Sequence, residues 1–419
     1  VLDTLRSAWK VTDLRKKVIF TLVMFLVFRI GVHVPVPGID VEAMKQATQG
    51  QLFGIFDVIS GGAFRRLSVF AMSITPYINA SIIMSLLQVV IPKLEQLAKE
   101  GEAGRKIIAQ YTRYFAVFLG LVQAIGMSVA LGRQGIFVSP GIGSYALVAL
   151  TLTAGTAMLM WIGELITEKG IGNGISLIIF AGIVSRLPQG LSSMGQLFSV
   201  GEINILSIIL LTALGLLIIA GVVAVNEGQR RISVQYAKRV MGRKVYGGQS
   251  THIPLKVNQA GVIPIIFAMS LMLFPVQIAR FIDHPWARAV ESSLAFGSAL
   301  NSVLYALLII FFTYFYTAIV FNPMDVADNL KKYGGFVPGL RPGRPTGEYI
   351  SRVLSRLTLA GAIFLALIAI LPNFMIAVTG ISSLYFGGTA LLIVVGVALE
   401  TMKQFESYLL MRHYEGFMK

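Results

Sequence analysis

The 419-residue chain contains no cysteine, which excludes disulfides, thiolate metal sites and cysteine nucleophiles. Charge is scarce as well. Only 13% of the residues are Asp, Glu, Lys or Arg, against ~25% in an ordinary soluble domain. No G-x-x-x-x-G-K-[ST] string occurs, and Gly101–Lys106 (GEAGRK) has neither the spacing nor the hydroxyl of a phosphate loop. Any work done through this protein must therefore come from outside it. Ion-coupled transporters and proton pumps place ionisable groups inside the bilayer. Here Glu164 and Glu400 fall at the ends of apolar runs, and His33, His252, His284 and His413 fall in loops or at run edges. Arg29 is the deepest basic residue, and its long side chain can snorkel to an interface. Nothing here suggests a catalytic site, a metal or a cofactor.

What the chain does have is apolar length. Of its residues 55% are hydrophobic and 42 are glycine, a residue commoner in membrane helices than in soluble ones. A membrane span needs ~20 largely apolar residues. The candidates are Val18–Pro35, Ile74–Ile91, Tyr114–Leu131, Ser144–Ile166 and Gly174–Leu187, then Ile203–Val225, Ala260–Ala279, Val303–Phe321, Leu357–Leu371 and Leu384–Leu399. Leu357 to Leu399 carries no charge and is too long for one crossing, so Pro372-Asn373 and Gly380 are expected to break it. The polar, basic start leads into Val18–Pro35 without a small-residue cleavage site, so no cleavable signal peptide is expected. With the N-terminus inside, the cytoplasmic segments hold 27 of the 35 Lys and Arg residues. That bias sets the orientation, with both termini cytoplasmic, and it accounts for the net charge of +15 without nucleic acid.

Ten spans divide into two sets of five. Because five is odd, the second set enters the membrane upside down, the arithmetic of an inverted repeat, which tends to place a pathway at the repeat interface. Leu52–Ile59 is apolar but too short to cross, and Ser60-Gly61-Gly62 interrupts it. It reads either as an interfacial re-entrant loop or as a movable stopper entering a pore from the outer side. Ile74 and Ile78 share one helical face, as do Ile175 and Ile179; that spacing is also ordinary packing. A small-solute transporter built from inverted repeats, and an insertase or scaffold without an aqueous pore, are the competing classes.

Six strings narrow the choice. Phe28–Gly38 (FRIGVHVPVPG), Ser73–Ile82 (SITPYINASI), Trp161–Ser176 (WIGELITEKGIGNGIS), Gln249–Pro264 (QSTHIPLKVNQAGVIP), Phe321–Pro342 (FNPMDVADNLKKYGGFVPGLRP) and Phe386–Thr389 (FGGT) resemble the SecY family of protein-translocation channels, in family order across nearly the whole chain. The resemblance implies an all-α integral membrane protein whose ten transmembrane helices form two inverted five-helix halves, a clamshell around an hourglass pore. The halves would be residues 1–190 and 191–402, followed by a tail over 403–419. Large cytoplasmic loops are expected at about 227–259 and 323–356.

The resemblance also assigns roles. The pore waist matches Ile74, Ile78, Ile175, Ile179, Ile266 and Ile393. The plug matches about 52–67, with Ile59, Ser60, Gly61, Gly62, Ala63 and Phe64 at its centre. Asn79 and Ser85 are lateral-gate candidates, although Ser85 stands where relatives often carry glutamine. Arg243, Lys244 and Arg341 match loop positions that dock a ribosome or the SecA ATPase motor. Lys244 stands where arginine is frequent, which keeps the charge and loses the bidentate fork. Further implied partners are the small membrane subunits SecE and SecG, signal peptides, nascent chains and the lipid itself. The implied location is the plasma membrane of a bacterium.

Overall fold

In lipid, every backbone amide must be satisfied within the protein, so long apolar runs fold as helices. The computed structural model describes residues 11–40, 42–44, 57, 60–139, 141–201, 204–236, 239–241, 244–246, 250–281, 284–294, 298–379 and 388–417. The helices of the first half are α1 (Thr12–Gly31), α2 (Thr75–Val90), α3 (Pro92–Lys99), α4 (Glu102–Arg133), α5 (Ile142–Lys169) and α6 (Gly174–Ser199). Those of the second half are α7 (Ile205–Glu227), α8 (Ile263–Phe281), α9 (Pro285–Ser293), α10 (Ala299–Val320), α11 (Pro323–Lys332), α12 (Arg344–Thr379) and α13 (Gly388–Phe417). Hydroxyls inside these helices return to their own backbone. Thr112 Oγ1 donates to the Ile108 carbonyl at 2.8 Å and Thr313 Oγ1 to that of Ile309 at 2.6 Å, the usual way a Thr is satisfied in an apolar helix.

Each of the ten expected apolar runs coincides with one helix. Six (α4, α5, α6, α7, α10 and α12) are long and apolar enough to cross a membrane by themselves, and α2 with α3 forms a seventh candidate bent by 99°. The chain is a multi-pass membrane protein. α7 makes the lipid contact plain, with Ile205, Leu206, Ile209, Leu210, Leu216 and Leu217 all exposed.

Three expectations need correction. The fifth run does not stop at Leu187; α6 continues through Pro188 to Ser199. The helix of the ninth run, α12, likewise continues through Pro372-Asn373 to Thr379, so the break before α13 comes later than the proline, and Gly380 lies outside the described residues. Proline costs a membrane helix less than its missing N–H implies, because neighbouring helices and local adjustments satisfy the freed carbonyl. The third correction is a small sheet that an all-helical reading omits. Strand β1 (Gln229–Tyr236) pairs antiparallel with β4 (Ser250–Lys256) on one side and with β5 (Gly335–Phe336) on the other. A hairpin of β2 (Arg239–Met241) and β3 (Lys244–Tyr246) lies between β1 and β4 in sequence. Ile232 and Val234 alternate inward onto Leu330, Val337 and Ile350, while Arg230 and Arg231 stay exposed. The two large basic loops thus fold into one unit with its own core.

Packing repeats with an offset of five spans. In the first half α2 lies on α4, α4 on α5, α5 on α6, and α1 on α6. In the second half α8 lies on α10, α10 on α12, α12 on α13, and α7 on α13. The two groups meet where α8 packs on α2 and α4, and where α13 packs on α6.

Between α1 and α2 the chain is not a long helix but a buried succession of turns from Ser60 to Ser73. Val69 N–H donates to the Val34 carbonyl at 3.0 Å and Val36 N–H to that of Leu67 at 2.9 Å, which clips the segment to the end of α1. α5 closes over it at Gly155, where a Cβ would fall 1.9 Å from the Val69 carbonyl oxygen. Only glycine permits that approach. Gly155→Ala is therefore expected to lower stability by ~1–3 kcal/mol, read as a lower Tm in detergent. Gly215→Ala on α7, where a Cβ meets nothing within 4 Å, serves as the neutral control.

Candidate functional site

Four helices bring the six predicted isoleucines into one cluster. Ile74 caps the start of α2 and Ile78 follows one turn on, with Ile78 N–H donating to the Ile74 carbonyl at 3.1 Å. Ile175 and Ile179 occupy the first turns of α6, Ile266 the start of α8, and Ile393 the start of α13. All but Ile175 are buried, and Ile175 packs against the same cluster half-exposed. The side chain of Asn173 sets the α6 pair by capping that helix, accepting from Ile175 N–H at 3.1 Å and Ser176 N–H at 3.2 Å. Both halves contribute to the ring, so it closes only where they meet.

The Ser60–Ser73 turns sit against this ring. Ala63 and Phe70 belong to the same buried cluster as the isoleucines. Phe64, Leu67, Ala71 and Met72 fill a second cluster against α4 and α5. Gly61 and Gly62 have φ of +67° and +95°, backbone that glycine adopts freely. Leu67 at +40° and Ser73 at +53° are non-glycine residues held in the left-handed region, a cost of order 1–3 kcal/mol each that the surrounding packing must offset. Of the predicted plug residues, Ile59 lies outside the described residues; Ser60, Gly61, Gly62, Ala63 and Phe64 are all buried.

Polar groups fasten this segment, and sequence reasoning did not assign them. Asp57 pairs with Arg186 of α6, and both side chains are largely buried. The same carboxylate accepts from Arg65 N–H at 2.9 Å, and the Asp57 carbonyl from Gly62 N–H at 2.8 Å. Arg29 was expected to snorkel. Instead its guanidinium turns inward and donates to the Gly61 carbonyl at 2.9 Å and to Ser185 Oγ at 3.3 Å. Its depth in an apolar run, and the lone acid in Leu52–Ile59, were the available signals.

Of the two gate candidates, one bridges helices. Asn79 of α2 accepts at Oδ1 from Ser270 Oγ of α8 at 2.7 Å, in a fully buried contact. Its Nδ2 has no partner among the described residues. Ser85 donates to the Ser81 carbonyl of its own helix at 2.8 Å and does not reach across. Ser270 was missed, because a single Ser in an apolar helix gives no sign of its partner.

A family model described as SecY matches residues 68–402. The chain belongs to the SecY family. The "Protein translocase subunit SecY" of Halalkalibacterium halodurans is 52% identical over 427 residues, covering 99% of each chain. Two similar solved structures agree in fold. One, titled "The plug domain of the SecY protein stablizes the closed state of the translocation channel and maintains a membrane seal", has a TM-score of 0.67 at 18% identity, covering 94% of this chain and 92% of its own. The other, "Sec61 in the Canine ribosome-channel complex from the endoplasmic reticulum", has a TM-score of 0.62 at 17% identity with the same coverage. At such identities these likenesses concern the fold alone.

For this SecY-family chain, the two docking candidates among the described residues fall on the sheet-bearing loops. Arg341 is exposed between β5 and α12, its carbonyl accepting from Thr346 Oγ1 at 2.8 Å. Lys244 opens β3, and Arg243 lies outside the described residues. Among the described residues no three His, Cys, Asp or Glu side chains gather as a metal site.

The Asn79–Ser270 bond is testable as a pair. A double-mutant cycle with Asn79→Ala and Ser270→Ala in thermal unfolding is expected to give a coupling of about 1 kcal/mol. Additive effects would mean that the two side chains do not meet.

Proposed function

We propose that this chain is the channel subunit of a bacterial translocon, passing secretory polypeptides across the membrane and releasing membrane helices sideways into lipid. One observation carries the reading. The six isoleucines, drawn from both halves, share one buried cluster with Ala63 and Phe70 of the adjoining turns, which supports reading the isoleucines as an aliphatic ring and the turns as its stopper. An apolar constriction sheds water and so blocks ions, and flexible aliphatic side chains can seal around a passing chain of any sequence. A charged filter would select among substrates; this ring does not.

The clamshell reading is supported by the repeat in helix packing and by the seam between α2 and α8. That seam is the lateral gate, and Asn79–Ser270 is its polar clasp. Parting it exposes the pore to lipid, where an apolar signal peptide or span partitions by the hydrophobic effect. Ser85 stays on the rim of this gate as a weaker candidate. Ile59 through Phe64 form the centre of the plug.

The sheet unit is the docking surface. β1 and β5 join the loops over 227–259 and 323–356, so Arg243, Lys244 and Arg341 belong to one basic platform. Such a platform suits ribosomal RNA phosphate during synthesis and the SecA motor afterwards. SecE and a SecG-like subunit complete the assembly. The Lys and Arg bias supports both termini lying in the cytoplasm, and the bacterial relatives support location in the plasma membrane.

The test uses photo-crosslinking probes at Ile78, Ile179 and lipid-facing Leu210, in proteoliposomes with a stalled secretory chain and its motor or ribosome. Crosslinks to 78 and 179 but not 210 are expected. Crosslinks confined to 210 would overturn the pore assignment.

A further inference from the structure

Beside the plug segment, at the bundle end away from the sheet, lies a half-open cavity of about 390 Å³. Four arginines line it: Arg29 from α1, Arg65 and Arg66 from the Ser60–Ser73 turns, and Arg186 from α6. Among the described residues, the other lining groups are Gly61, Gly62, Ser185 and Gln189. Asp57 lies behind Arg186, and against four guanidinium groups it leaves an excess of three positive charges (4 − 1). A guanidinium cannot shed its proton in a protein, so the cavity stays cationic at any physiological pH.

Two of the four are anchored. Arg29 holds the Gly61 carbonyl and Ser185 Oγ, and Arg186 holds Asp57 and the Gln189 side-chain oxygen. The side chains of Arg65 and Arg66 are exposed and make no ion pair among the described residues. Two unpaired forks therefore face two fixed ones around one space.

We propose that this cavity binds a phosphate-type oxyanion. The guanidinium fork matches an oxyanion bidentately, whereas a halide offers one point of contact. At ~30 Å³ per water, the space holds a phosphate together with part of its hydration. A bound dianion cancels most of the excess charge and ties the plug segment at once to α1 and α6. It thereby acts as a latch on the closed arrangement, separate from the apolar seal.

The experiment is thermal unfolding of the full chain in two settings. The first is lipid-free detergent with inorganic phosphate against chloride at matched ionic strength. The second is phosphate-free nanodiscs of phosphatidylglycerol against phosphatidylcholine. A saturable rise of about 2 °C is expected in at least one setting at ligand well above its Kd. A rise in detergent identifies the free anion, and a rise confined to phosphatidylglycerol identifies a lipid headgroup. R65Q/R66Q should abolish the rise when phosphate is compared with chloride for that variant itself, whose Tm in chloride should be no lower than that of the parent because two like charges are gone. R65K/R66K, with the charge kept and the forks lost, should restore only part of it. No rise in either setting, or a rise that survives in R65Q/R66Q, overturns the proposal. Because the readout needs no translocation, its failure and that of the channel reading are separable.

Discussion

A backbone amide away from water must find its partner inside the protein, and the Ser60–Ser73 turns meet that demand without a long helix. Their hydrogen bonds are supplied piecemeal. Asp57 takes Gly62 and Arg65 N–H, Ser60 takes Ala63 and Phe64 N–H, and Val34 takes Val69 N–H. Side chains from α1 and α6 complete the set through Arg29 and Arg186. A segment satisfied this way can be released as a unit, since few of its bonds are the ladder of a continuous helix. That property suits the proposed role of a plug.

The ring depends on the same arrangement. Ile74 stands directly after Ser73, whose strained backbone turns the chain from the plug into α2. In the proposed channel, the position of the waist is therefore tied to the fold of the plug through Ser73. The remaining isoleucines of the cluster come from α8 and α13, which pack on the first half along α2, α4 and α6. Opening such a seam costs apolar contact, about 25 cal/mol per Å² exposed to water. Exposure to lipid or to an apolar passenger costs far less. A gate at this seam, as proposed, would be biased toward apolar cargo by its surroundings.

Much of this was legible in the sequence, at two different levels. Each apolar run read from the sequence coincides with a helix, because lipid leaves a long run little choice but to become one, whereas the short polar helices α3, α9 and α11 were not foreseen. The isoleucine ring was different. Ile74/Ile78 and Ile175/Ile179 have spacing that any packed helix shows, and only the family resemblance singled them out with Ile266 and Ile393. What escaped was tertiary. Ser270, Asp57 and Arg186 acquire meaning from partners up to 191 residues away, and no local pattern announces them. The sheet was missed because Ile232 and Val234 are a short alternation inside a charged loop, stabilised by Leu330 and Ile350 from another loop. Proline was over-read at Pro372, where α12 continues to Thr379.

The most direct test of an apolar seal is electrical. Planar bilayers holding the full chain without motor, ribosome or substrate should show almost no resting conductance. Replacing Ile74 and Ile78 with Ser should raise that leak severalfold, because hydroxyls let water and ions wet the constriction. An unchanged conductance in this variant, with the protein folded and inserted, would contradict the aliphatic ring as the barrier.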